Sequence, residues 1–157
     1  MSRINQGCMF SKACEYGIRA SIFIATKSSK GMRVGIKDVA KEIDSPEPFT
    51  AKIMQILTKN GIIHSTKGVG GGFEVSPEAS KKIKLIQIVD AIDGNKIYSG
   101  CGIGLKECSE EHPCPVHHEF KKIRGLLLEM LMKTTLEQLA SDVKSGDFFL
   151  KTLNTNE

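Results

Sequence analysis

Two short helical segments parted by a proline break, with a glycine-tipped hairpin behind them, constrain this chain more than anything else in it. Residues 36–43 place Val39, Ala40 and Ile43 on one helical face. Asp44-Ser45-Pro46-Glu47-Pro48 stops that helix and starts another, because proline is tolerated in a first helical turn but not in an interior. The second helix, residues 48–60, spaces Phe49, Ile53, Ile56 and Leu57 at i, i+4, i+7 and i+8, an inward stripe, and ends at Asn60-Gly61. Residues 62–66 and 73–76, two short apolar runs, then flank Lys67-Gly68-Val69-Gly70-Gly71-Gly72, which reads as a β-hairpin. A nucleotide P-loop is excluded. It needs Gly-Lys-Ser/Thr opening a helix, and here the strand Phe73-Glu74-Val75 follows the glycines. Helix, break, helix, hairpin is the order of a winged helix-turn-helix, a fold whose second helix enters the major groove of double-stranded DNA.

With its apolar stripe turned inward, residues 48–60 present Ala51, Met54, Gln55, Thr58 and Lys59 outward. Gln55 can read a base edge, while Thr50, Lys52 and Lys59 can reach phosphates at the groove rim. Lys67 and His64 fall on the wing, and Gly68, Gly70 and Gly71 let its backbone approach the duplex closely. The charge distribution agrees. Residues 1–80 hold eleven Lys/Arg against seven Asp/Glu and residues 81–157 hold eleven against eleven, so the whole excess of +4 lies where a polyanion would dock.

The second half carries different chemistry. Cys101, Cys108, Cys114 and His117 form a C-x6-C-x5-C-x2-H run within seventeen residues, in a loop containing Gly94, Gly100, Gly102 and Gly104. Thiolate and imidazole hold iron–sulfur clusters or zinc, and four such groups this close can surround one ion or cluster. A Cys3His zinc site is the alternative, although the tight C-x2–4-C pair usual for zinc is absent. Cys14 lies on the apolar face of a first helix spanning residues 9–30 and is read as core. After a fourth helix over residues 83–92, a long helix runs from Cys114 or Pro115 to Lys133. Val116, Phe120, Ile123, Leu127, Met130 and Thr134 form a seam on it, with Leu126, Leu128, Leu131 and Met132 widening the apolar surface. A helix apolar on two sides must be covered on two sides, so a homodimer is expected. A brief last helix covers residues 135–143.

The expected fold is mainly α with a small β-hairpin wing: a winged helix-turn-helix plus a long C-terminal dimerisation helix. Residues 9–80 form the DNA-binding domain, 81–145 the cysteine loop and pairing helix, and 146–157 a flexible tail. Five cysteines, with no apolar h-region in residues 1–10, point to reduced thiols in a cytoplasm. No apolar run reaches membrane-spanning length. No Ser-His-Asp set, paired catalytic carboxylates or cofactor fingerprint suggests an enzyme.

The chain resembles the IscR/NsrR family of bacterial regulators (the Rrf-two superfamily). The matching residues are Phe10-Ser11-Lys12 with Tyr16-Gly17-Ile18-Arg19-Ala20, Lys59-Asn60-Gly61-Ile62-Ile63, Lys67-Gly68-Val69-Gly70-Gly71-Gly72-Phe73 and the trio Cys101, Cys108 and Cys114. The usual family start falls at Met9, so Cys8 carries no inference. The resemblance implies a [2Fe–2S] cluster, with [4Fe–4S] as the alternative, held by the three thiolates and a variable fourth ligand. An aerobically prepared sample could lack it. His117 matches the fourth ligand of the IscR pattern. Glu15 matches the acidic ligand that the nitric-oxide-sensing NsrR branch donates from the partner subunit. His117 ranks first because it needs no partner chain. The first gap of six residues, where the family commonly has five, gives the loop a one-residue bulge. The implied function is a repressor whose operator binding is controlled by a cluster sensing iron–sulfur status, oxygen or nitric oxide. A metal-free or zinc-bound regulator of the same fold, or an iron–sulfur electron carrier, stand as alternatives.

Overall fold

The structure is a computed structural model and describes residues 9–152; Cys8 and the last five residues lie outside it. α1 (Lys12–Ser28) begins where Ser11 Oγ accepts the Cys14 amide at 3.1 Å, an N-cap that satisfies a donor the helix itself leaves unpaired. α2 (Ile36–Ile43) stops at Asp44, which takes a left-handed φ of 53°. α3 (Glu47–Lys59) carries Pro48 in its first turn. β1 (His64–Thr66) and β2 (Gly72–Glu74) pair antiparallel with Ser65 opposite Phe73. Val34, ahead of α2, bridges Phe73 from the other side, so the wing is tied back to the helical body.

The helix expected over residues 83–92 forms from Leu85 onward, and a further short helix that was not expected precedes it. Ser76 caps a separate short helix, α4 (Pro77–Lys82), before α5 (Leu85–Ile92). Lys84, between them, is extended and bridges Thr135. That bridge is made by Leu85 N–H donating to Thr134 at 3.0 Å and Leu136 N–H donating to Ile83 at 2.9 Å. These bonds lie between segments some fifty residues apart, so no local periodicity announces them. A one-turn α6 (Lys96–Ser99) leads into the cysteine loop. α7 (His117–Lys133) follows it, and α8 (Leu136–Ser145) is capped by Thr135.

α1 is the central element, with α2, α3, α5 and α8 packed around it. Ile24, Ile43, Ile53, Leu57, Ile88, Leu131 and Leu136 are fully buried in one continuous core that runs through both halves of the chain. Each is worth about 1.5–3 kcal/mol of burial. After α8 the backbone returns to the first helices: Arg19 donates to the Leu150 carbonyl and Lys151 pairs with Glu42.

α3 turns a different stripe inward from the one its apolar residues suggest. Thr50, Ile53, Met54 and Leu57 are buried, at i, i+3, i+4 and i+7, while Phe49 sits at the edge against Tyr16. Thr50 therefore cannot reach a phosphate. Its hydroxyl donates to the Pro46 carbonyl at 3.0 Å, and burial with that bond costs little. Met54 likewise leaves the outward face and joins the core.

Candidate DNA interface and sulfur-ligand site

On the outer side of α3, Lys52, Gln55 and Lys59 are exposed, and Ala51 and Thr58 are half-buried. Ala51, Gln55, Thr58 and Lys59 line an open groove whose other wall is the hairpin, through Ser65, Lys67 and Phe73. Lys67, Gly68, Val69 and Gly70 project from the hairpin into solvent. Glycine is obligatory there for two reasons. Gly68 and Gly70 have φ of 89° and 74°, and a Cβ on Gly71 would stand 2.2 Å from the Thr66 carbonyl oxygen. Of the residues read as DNA contacts, Ala51, Gln55, Lys59 and Lys67 line this groove, and Lys52, Gly68 and Gly70 are exposed outside its lining.

The wing has a brace that sequence reading missed. Arg33 Nε stands 3.0 Å from Glu74, and its Nη1 donates to the Gly70 carbonyl at 3.3 Å. That guanidinium holds the Glu74 carboxyl below its ordinary range. An arginine before an extended valine is an unremarked surface residue in a linear sequence. Only the Val34–Phe73 bridge brings it to the hairpin.

Folding gathers the second set of residues at the start of α7. Cys101 Sγ lies 4.0 Å from Cys114 Sγ, and Cys108 Sγ lies 3.3 Å from His117 Nδ1. All three thiols are half-buried and His117 is buried. Among the described residues no three His, Cys, Asp or Glu donors are already closed to metal-binding distance, so the four stand as two pairs. The expected helix start at Cys114 or Pro115 moves to His117, whose amide donates to the Cys114 carbonyl at 3.0 Å. Cys114 and His117 are thereby held one turn apart. His117 Nε2 is buried and makes no hydrogen bond; the nearest acid, Glu110, stands 3.4 Å away. Lys121 first, and then the His117 ring, keep the Glu110 carboxyl below its ordinary range.

The loop is shaped to lie close on α7. A Cβ on Gly102 would stand 2.5 Å from the Phe120 ring. The backbone amides of Ile103 and Leu105 point toward Cys101 and hold its thiol below the usual value. Arg124, on the same helix, donates from Nη2 to Cys108 Sγ at 2.9 Å and from Nη1 to the Gly100 carbonyl. Cys14 belongs to none of this. It is fully buried in the core, where burial first and Asp93 second push its thiol up to about 12. Glu15, in the first turn of α1, pairs with Lys12 at 3.3 Å. His112 and His118 are exposed.

A groove-facing helix beside a braced wing, joined through one core to a sulfur-rich loop, defines a transcriptional regulator of the winged helix-turn-helix class. Comparison with known proteins agrees. The model of the Rrf2 family, described as iron-dependent transcriptional regulators, matches residues 10–142, and the chain belongs to that family. An HTH-type transcriptional regulator of Aquifex aeolicus is 30% identical over 133 residues, covering 83% of this chain and 90% of that protein. The NsrR regulator of Bacillus licheniformis is 26% identical over 126 residues, covering 80% and 87%. The solved structure of CymR, the global cysteine regulator of B. subtilis, superposes with a TM-score of 0.68 at 25% identity, covering 84% of this chain and 95% of that one. The relatives are named as regulators, not enzymes. Among the described residues no helix is long and apolar enough to cross a membrane.

Proposed function

We propose that this regulator is a cytoplasmic homodimeric repressor whose grip on operator DNA is set by an iron–sulfur cluster, [2Fe–2S] in preference to [4Fe–4S], held by Cys101, Cys108, Cys114 and His117. The observation that carries the reading is the meeting of Cys101 with Cys114, and of Cys108 with Nδ1 of the buried His117, at one end of α7. The donor set fits such a group. Thiolates are the ligands iron–sulfur clusters require, and an imidazole nitrogen can take the place of a thiolate on one iron. Glu15 of a partner subunit remains the second candidate for the fourth position.

An iron–sulfur group supplies redox- and nitric-oxide-reactive iron when bound. The rest of the mechanism belongs to the chain. Cys101 and Cys108 lie on the loop, Cys114 and His117 at the root of α7, so shared ligation couples loop to helix. Ile123, Leu126 and Met130, at i, i+3 and i+7, form an exposed apolar stripe on the side of α7 away from Leu131. A second copy covers that stripe, and the pair presents two α3 helices and two wings to a pseudo-palindromic site. Releasing the loop shifts the root of α7 and hence the angle between the reading heads. Phosphate contacts are steeply sensitive to position, so a small rotation switches affinity.

The test is anaerobic preparation with visible absorption, electron paramagnetic resonance, and iron and sulfide assay, followed by binding to its own promoter DNA before and after cluster loss. A colourless protein carrying stoichiometric zinc removes the sensor. Unchanged DNA affinity on cluster loss removes the switch.

A further inference from the structure

Arg124 sits half-buried on the inner side of α7, and none of the ion pairs among the described residues includes it. Its guanidinium instead bridges two points of the cysteine loop, the Gly100 carbonyl and Cys108 Sγ. This is an unusual use of a partly desolvated cation. A half-buried charge is normally neutralised by a carboxylate; here it faces a carbonyl dipole and a sulfur. His117 Nδ1 meets the same sulfur from another direction, so Cys108 receives two nitrogens, only one of them on a fixed cation. Cys101 and Cys114 have no cation of their own among these contacts.

Resting on the iron–sulfur reading above, we infer that Arg124 is a positioning residue of the sulfur site, with two effects. Its fork pins the loop to α7 from Gly100 to Cys108, the segment that brackets the one-residue bulge. Its charge, fixed against Cys108, favours the more negative, reduced state of an iron–sulfur group bound there. A reduced cluster carries one more negative charge than the oxidised one, and a cation beside a ligand sulfur lowers the free energy of that state most. Arg124 thus sets how readily the regulator is oxidised, and its fork couples that state to the pairing helix on which it stands. Lysine at the same position keeps the charge but loses the bidentate bridge.

The experiment uses full-length protein prepared anaerobically as wild type, R124K and R124M, with iron and sulfide per chain and the midpoint reduction potential measured by dye-mediated titration. The expected result is a potential lowered in R124M and largely restored in R124K, with both variants folded by circular dichroism. The loss of the pin appears separately. Amide hydrogen exchange across residues 100–108 of the metal-free proteins rises in both variants, because neither keeps the bridge. A wild type that takes up no cluster overturns the sensor reading and this inference together. A wild type that loads normally, with a potential unmoved in R124M, overturns the role of Arg124 alone.

Discussion

Replacing Leu126 by asparagine separates the two apolar sides of α7. Leu131 is fully buried against the chain's own core, whereas Leu126 keeps 69% of its surface exposed. The proposed pairing therefore has about two-thirds of a leucine's burial energy still to gain at position 126, roughly 1–2 kcal/mol. A two-fold interface counts that gain once per copy, so L126N should cost about 2–4 kcal/mol of dimerisation. At about 1.4 kcal/mol per decade, the dimer Kd should weaken by between one and three orders of magnitude. Leu131→Ala should instead destabilise the fold itself by about 2–5 kcal/mol, the range for a large-to-small change in a packed core. Sedimentation equilibrium gives the dimer constant. Urea unfolding at a protein concentration below that constant gives monomer stability free of mass action. The reasoning is refuted if L126N leaves the dimer constant within a factor of two, or if it unfolds the dilute monomer as readily as L131A does.

Arg33→Ala removes both parts of the wing's brace, the solvent-accessible ion pair to Glu74 and the hydrogen bond to the Gly70 carbonyl. The melting temperature should move little, since solvent screening leaves such pairs little net stability, yet affinity for promoter DNA by fluorescence anisotropy should fall. A fall in stability with intact DNA affinity would assign Arg33 to the core instead. Tyr98 donates its hydroxyl to Asp90, and that bond, with burial and the carboxylate's charge adding to it, pushes the phenol up to about 12 from an ordinary 10. A folded-state value above the unfolded one means stability is fully present below pH 10 and is lost as pH climbs toward 12. Urea midpoints from pH 8 to 11 should therefore decline above 10 in the wild type and decline less in Y98F; identical profiles would exclude the contribution.

The elements that local rules govern were readable from the chain alone. α2 keeps its expected bounds, the Pro46–Pro48 break stands, and the hairpin turns at its glycines, because capping, proline placement and positive φ are decided within a few residues. The four sulfur-site residues were named from spacing, and the fold sets them as two pairs, Cys101 beside Cys114 and Cys108 beside His117. What failed in the reading failed where distant segments compete. Thr50 and Met54 turned inward because the surface that α3 packs on, supplied by α1 and α5, chooses the buried stripe more strongly than hydrophobicity alone. The helix expected over residues 83–92 starts two residues later, at Leu85, because the backbone of Ile83 and Leu85 bonds to Leu136 and Thr134.

Composition and spacing already held the class of this protein: a two-helix reader, a glycine wing, and soft ligands crowded into one loop. Each depends on neighbours only a few positions away, and a linear text records neighbours of that kind. The brace of Arg33 on the wing and the fork of Arg124 on Cys108 were left to the folded chain. Arg33 meets the hairpin through a bridge from Val34 to Phe73, and Arg124 reaches back sixteen residues to its sulfur. Their partners are fixed by how whole helices and strands settle on a shared core, a distance over which sequence periodicity carries no signal.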